Sequence, residues 1–254
     1  MVSHLHAFVM ENDLTDAEWR VAIDFLTRAG EITSDTRQEF ILLSDTLGVS
    51  SLVDILTNSR TPDSTPSAVL GPFYVEGPPE MASGSDISGG DLDGDPVLTQ
   101  IQVTDVAGTP IAGAVVDVWQ ANKDGFYDVQ LPELEGTVLR GRLRTDDDGR
   151  LSFWTILPAP YPIPDDGPVG QMLNAVGRHP MRAPHLHFMI AAQGVHTLIT
   201  QLFVEGGDYL DSDTVFGVKD PITVPFPVQD GPAPDGRPGL WRRLDFTFQL
   251  AGQA

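Results

Sequence analysis

Apolar residues recur at two different periods along this chain, and the change from one to the other divides it. Over the first sixty residues the period is helical. Trp19, Ala22, Phe25, Leu26 and Ala29 fall at helical spacing before Gly30, behind a Thr15/Glu18 pair of the capping-box type. A second helix is predicted from near Ser34, carrying Phe40, Ile41, Leu43 and Leu47 up to Gly48, and a shorter third over 52–56. Helices this short are not sustained in water by propensity alone. They need one another, the rest of the chain, or a second subunit.

From Pro62 onward the pattern changes. Pro62, Pro66, Pro72, Pro78 and Pro79 forbid regular helix, and SGSDISGGDLDGD at 83–95 reads as a polar loop. Strand-like runs follow. Thr99, Ile101 and Val103 alternate with polar residues, and 115–119 is β-branched and aromatic. Leu139, Gly141 and Leu143 alternate with Arg140, Arg142 and Arg144, and DDDG at 146–149 turns the chain into Leu151, Phe153 and Thr155. Runs at 185–190, 198–204 and 246–250 complete the series. Short strands at this spacing predict an antiparallel sandwich or barrel. The fold class expected is α+β: an N-terminal helical region over 1–62, packed on a mainly antiparallel β-sandwich domain over 63–254. The Pro-rich segment 221–239 reads as a long surface loop.

Composition narrows the function. Acids outnumber bases 36 to 15 among 254 residues, a formal net charge of -21, so phosphate backbones and anionic lipid are repelled and no nucleic-acid or membrane partner is expected. The absence of cysteine excludes disulfides, thiolate metal sites and a Cys nucleophile. MVSHLHAFVMENDLTDAEW at the N-terminus lacks the basic region and apolar run of a signal peptide, and no run approaches 18 apolar residues. A cytoplasmic location is the expectation.

The sharpest chemical signal is RAPHLHF at 182–188. On a strand, alternate side chains share a face, so His185 and His187 project together with Cβ atoms roughly 7 Å apart, while Leu186, Phe188 and Ile190 face a core. An H-x-H pair suits a metal but also describes two ordinary histidines. No acid follows at 191–193, and His4, His6, His179 and His196 sit in no metal-binding spacing. Tyr127, in NKDGFYD, and Tyr161, held between prolines in LPAPYPIPDDGP, are two of only four tyrosines. Singly, each reads equally as a packing residue.

In combination these motifs resemble a known family. AGAVVDVWQANKDGFYD, RTDDDGR, PAPYPIPDDGP and GRHPMRAPHLHF follow one another in the order and spacing of the intradiol ring-cleavage dioxygenases, and LGPFYVEGPP at 70–79 resembles the segment before their catalytic sandwich. The resemblance implies one ferric ion per subunit, held by Tyr127, Tyr161, His185 and His187, with Tyr127 and His185 as the equatorial pair. It implies an aromatic diol or triol and O2 as substrates, with Tyr161 accepting a proton of the diol. It also implies that Arg182 stabilises negative charge developing on the ring. Family members dimerise through their N-terminal helices, so a homodimer is expected. A zinc or iron(II) enzyme of other chemistry, and a non-catalytic β-sandwich binding module, are the competing classes.

PYPIPDDGPVG and DYLDSDTVFGVKD at 208–220 resemble the hydroxyquinol-cleaving members rather than the catechol-cleaving ones. By position, Leu42, Asp45, Val69, Leu70, Gly71, Ile163, Pro164 and Val215 match substrate-pocket residues of that subfamily, together with Arg182. Leu42 and Asp45, three apart on the second helix, share a face. Asp45 is expected to accept a hydrogen bond from the additional ring hydroxyl.

Overall fold

Helices fill the N-terminal quarter and strands most of the remainder in the computed structural model, which describes residues 1–35, 37–58, 63–89, 93–131, 133–134 and 136–253. The helices are α1 (Val2–Glu11), α2 (Asp16–Ile32), α3 (Glu39–Thr46), α4 (Val49–Asn58) and α5 (Pro168–Ala175). The strands are β1 (Pro96–Asp105), β2 (Val115–Gln120), β3 (Arg140–Arg144), β4 (Arg150–Ile156), β5 (Tyr161–Pro162), β6 (Met181–Arg182), β7 (His185–Ala191), β8 (Leu198–Val204), β9 (Thr223–Val224), β10 (Val228–Gln229) and β11 (Trp241–Leu250). The fold is α+β. Two compact units are resolved, one of residues 1–44 and 164–180, the other of 45–163 and 181–254. Pro62 and residues 90–92 of the polar loop lie outside the described residues.

In the first unit the capping box forms as its sequence predicts. The Glu18 amide donates to Thr15 Oγ1 at 3.3 Å and the Thr15 amide donates to Glu18 Oε2 at 2.9 Å. The expected stop before Gly30 is not taken: α2 runs on to Ile32, and the missing Cβ at Gly30 leaves room for the Phe40 ring. Nor does α3 begin at Ser34. Ser34 and Arg37 exchange backbone hydrogen bonds in a turn, and the helix starts only at Glu39. Glu39 is fully buried and satisfied twice, by Arg37 Nε at 3.0 Å and by the Val169 amide in the first turn of α5 at 3.0 Å.

The second unit is a sandwich. One sheet has the order β10-β11-β1-β4, the other β3-β2-β7-β8-β9, and a two-stranded ribbon joins β5 to β6. Every pairing is antiparallel except β1 with β11 and β8 with β9. Between the sheets, Val97, Ile101, Phe153, Leu244 and Phe248 from one meet Val116, Val118, Leu186, Phe188 and Leu202 from the other. The Phe188 ring lies 5.0 Å from that of Phe248 and 6.5 Å from that of Phe153.

Two sequence expectations need correction in this unit. Leu139 does not open a strand: it holds φ 55, and β3 begins at Arg140. Arg140 on that strand is buried and paired with Asp128. The segment 221–239 is not wholly a surface loop either. It contributes β9 and β10, one at an edge of each sheet, and buries Ile222, Phe226 and Ala233.

Candidate metal centre

Alternation on β7 builds the site. Leu186, Phe188 and Ile190 enter the core between the sheets, so His185 and His187 emerge on the opposite face. Both imidazoles are nevertheless 1% exposed, because a second cluster of Trp119, Tyr127 and Tyr161, with Leu70, Phe73 and Tyr74 packed on it, covers that face. Strand register supplies the neighbours. Trp119 on β2 and Gln201 on β8 stand opposite His187, and Tyr161 stands opposite Arg182 in the β5–β6 ribbon. Tyr127 leaves the turn that Asn122 closes by accepting from the Asp124 and Phe126 amides.

Four donor atoms converge. Tyr127 Oη lies 3.0 Å from His187 Nε2, His187 Nε2 lies 3.0 Å from His185 Nε2, and Tyr161 Oη lies 3.5 Å from His185 Nε2. His185 Nδ1 is 2.6 Å from the Ala183 carbonyl, which only accepts, so Nδ1 carries the proton and Nε2 turns a lone pair inward. His187 Nδ1 is buried with no hydrogen-bond partner among the described residues. Stacking holds the rings instead: Trp119 on His187 at 4.7 Å and 10°, Phe73 on Tyr127 at 4.4 Å and 22°. Gly71 adopts φ +77, and a Cβ there would stand 3.4 Å from His187 Cε1. Glycine therefore lets the 70–79 segment approach the imidazole.

The protein alone keeps both imidazoles and the Tyr127 phenol neutral. Burial, reinforced by the Arg182 charge, pushes His185 down to about 3 against the hydrogen bond that its Nδ1 donates to the Ala183 carbonyl. His187 is pushed well below its ordinary value by burial and then by its charged neighbours. Burial, with Tyr161 beside it, pushes the Tyr127 phenol well above its usual range, and Arg182 and Arg140 oppose that only partly. Two phenol oxygens and two imidazole nitrogens thus converge on one buried point. This donor set fits a hard, highly charged cation, which would offset the cost of burying phenolates. Among the described residues there is no group of three or more His, Cys, Asp or Glu that could hold a metal ion.

Arg182 is 3% exposed and points Nη1 at His185 Nε2, 3.1 Å away. Burial alone would lower it, but Asp213 and the tyrosines outweigh that and hold the guanidinium above its ordinary value. Gln201 bridges from Arg182 to the Val69 carbonyl, with hydrogen bonds of 2.8 Å on either side. Leu70 packs against the tyrosine cluster. Asp45 is 7% exposed, not solvated; its carboxyl is raised by burial, while a hydrogen bond from Ser50 and the Arg182 charge pull it down. Ile163 and Val215 are buried. Leu42 and Pro164 belong to the first unit. The sequence reading did not single out Gln201, Asp213 or Trp119. A glutamine inside the apolar run LITQLFV was the available signal for the first of these.

Comparison with known proteins matches residues 69–250 to a family described as "Dioxygenase" and residues 1–65 to "Catechol dioxygenase N terminus". A hydroxyquinol 1,2-dioxygenase of Nocardioides simplex is 50% identical, over 99% of this chain and 86% of that protein. A 6-chlorohydroxyquinol 1,2-dioxygenase of Cupriavidus pinatubonensis is 49% identical, over 98% of this chain and 87% of that protein. The crystal structure of a hydroxyquinol 1,2-dioxygenase from Pseudomonas putida DLL-E4 superposes with a TM-score of 0.93 at 44% identity, covering 99% of this chain and 89% of that one. A fold in which two motif tyrosines meet two motif histidines, and relatives this similar over this much of the chain, lead to one conclusion: the chain belongs to the intradiol ring-cleavage dioxygenases.

Proposed function

We propose that this enzyme cleaves hydroxyquinol, 1,2,4-trihydroxybenzene, between its two adjacent hydroxylated carbons. Both atoms of O2 are incorporated to give 3-hydroxy-cis,cis-muconate, which tautomerises to maleylacetate. The convergence of Tyr127, Tyr161, His185 and His187 on one buried point carries the reading. These four would hold one Fe(III) per subunit. When bound, Fe(III) supplies a Lewis acid that favours the deprotonated diol and exposes its ring to O2.

The chain's own residues do the rest. Tyr161 Oη, a tyrosinate once the iron is bound, would accept one proton of the diol. Arg182, fixed on β6 with Nη1 turned to the donor cluster, stabilises negative charge on the ring. Asp45 accepts a hydrogen bond from the third hydroxyl, the group that distinguishes hydroxyquinol from catechol. Leu42, Val69, Leu70, Gly71, Ile163, Pro164 and Val215 shape the pocket. The apolar and aromatic cover of the site excludes bulk water, which strengthens each of these interactions.

The test is the ratio of kcat/KM for ring cleavage of hydroxyquinol and of catechol, with the product identified by mass after reaction in 18O2. The wild type is expected to add two labelled atoms and to prefer hydroxyquinol. Asp45→Ala should cut that preference by roughly tenfold, the worth of about 1–3 kcal/mol for a buried acceptor losing its partner. An unlabelled product would contradict the reaction, and an unchanged ratio in Asp45→Ala would contradict the role of Asp45.

The same reading makes the enzyme a homodimer formed through residues 1–62. The support is the apolar surface those helices leave uncovered, Trp19, Phe40 and Leu52 among it.

A further inference from the structure

One arm of Arg182 faces the donor cluster, and the contacts around the other nitrogens explain why. Arg182 Nε donates to Asp213 Oδ1 at 3.2 Å, and Nη2 is divided between Asp213 Oδ2 at 3.5 Å and Gln201 Oε1 at 2.8 Å. Nη1 alone is left to reach the cluster. The Asp213 carboxylate is itself pinned by two backbone donors, the Ala183 amide at 3.1 Å and the Gly217 amide at 2.8 Å. Gly217 has to be glycine for this: a Cβ there would lie 2.7 Å from Arg182 Nη2 and 3.3 Å from Asp213 Oδ2. The side chains of Arg182 and Asp213 are 3% and 2% exposed, so no solvent competes for either.

We propose that Asp213, braced by the Gly217 amide, is the positioning residue of Arg182, turning a flexible guanidinium into a fixed one whose Nη1 points at the reacting ring. The proposal rests on the reading of Arg182 as the group that stabilises charge on the ring. A guanidinium presents five donors in a rigid planar fork, so two bonds along one edge set the direction of the rest. Without them Arg182 would stay charged and buried, yet would be free to swing. Asp213 touches neither the donor atoms nor the substrate; it acts through Arg182.

A double-mutant cycle in the iron-loaded enzyme separates this from a structural role. Asp213→Asn keeps the shape but has a single accepting oxygen, so it retains the bond from only one of the two amides and loses the carboxylate charge. It is expected to lower kcat on hydroxyquinol by roughly tenfold to a hundredfold, the usual worth of a charge-assisted hydrogen bond, with little change in KM. Iron content and the tyrosinate-to-iron absorption band should stay near wild type, while the melting temperature should fall because a buried guanidinium loses its counter-charge. Placed on Arg182→Gln, the same change should lower kcat by no more than about twofold further, because the arm it aims is gone. Gly217→Ala, which crowds Nη2 while keeping Asp213, should repeat the pattern and serves if Asp213→Asn does not fold. Equal factors in the wild-type and Arg182→Gln backgrounds would overturn the proposal while leaving Arg182 its role. Wild-type turnover by Arg182→Gln would remove that role, and the positioning with it.

Discussion

His185 and His187 work against the stability of the empty protein for the same reason that they suit a metal. Both are buried and held neutral, His185 down to about 3 and His187 well below its ordinary value. In the unfolded chain each takes a proton near pH 6.5. Because the unfolded state then binds more protons than the folded one, stability of the iron-stripped protein is expected to fall as pH drops below that point. Each histidine contributes ~1.4 kcal/mol per pH unit. Urea unfolding of iron-stripped enzyme between pH 7.5 and 5 measures the slope, and His187→Asn should make it shallower by about one proton. A slope that His187→Asn leaves unchanged would mean that His187 is protonated in the folded state. The ligand motifs were legible in sequence because each is local: H-x-H on a strand, a tyrosine after a tight turn, a tyrosine between prolines. Asp213 and Trp119 were not, because each acquires its meaning from a partner far along the chain, Arg182 for one and the His187 ring for the other.

Among the elements, the strands were read more accurately than the helices. Alternation on β1, β4, β7 and β11 maps directly onto the two faces of a sheet, and the observed strands fall where the pattern places them. On β3 the alternation gave no sign of the partners of its arginines: Arg140 and Arg142 are paired with Asp128 and Asp117. The helices are different because their apolar residues are not used up inside the described chain. On α2, Trp19, Ile23 and Leu26 occupy one face at i, i+4 and i+7 and are exposed, while Ala29 is buried and Phe25 half-buried. A stripe of that kind on a helix is what a second copy would cover. Trp19→Glu combined with Leu26→Glu is therefore expected to convert a dimer into a monomer in light scattering after size exclusion. A wild type that runs as a monomer, or a double variant that remains a dimer, would contradict the dimer interface assigned to these helices.

At the scale of the whole molecule, a β-sandwich supplies two kinds of interior from one set of strands. The space between the sheets is filled by aliphatic and phenylalanine side chains, and the outer face of the five-stranded sheet carries His185 and His187, met there by Tyr127 from a turn and Tyr161 from the β5–β6 ribbon. No helix among the described residues is long and apolar enough by itself to cross a membrane. The sequence made this arrangement legible through its periods and motifs, but not the burial of Asp45. On the proposed function, Tyr127, Tyr161, His185 and His187 hold a ferric ion that binds the diol directly. The visible spectrum of the iron-loaded protein tests it, before and after anaerobic addition of hydroxyquinol. A red-brown tyrosinate-to-iron(III) band that moves to longer wavelength with the diol is the expected result. A protein that stays colourless after reconstitution with iron would contradict the account.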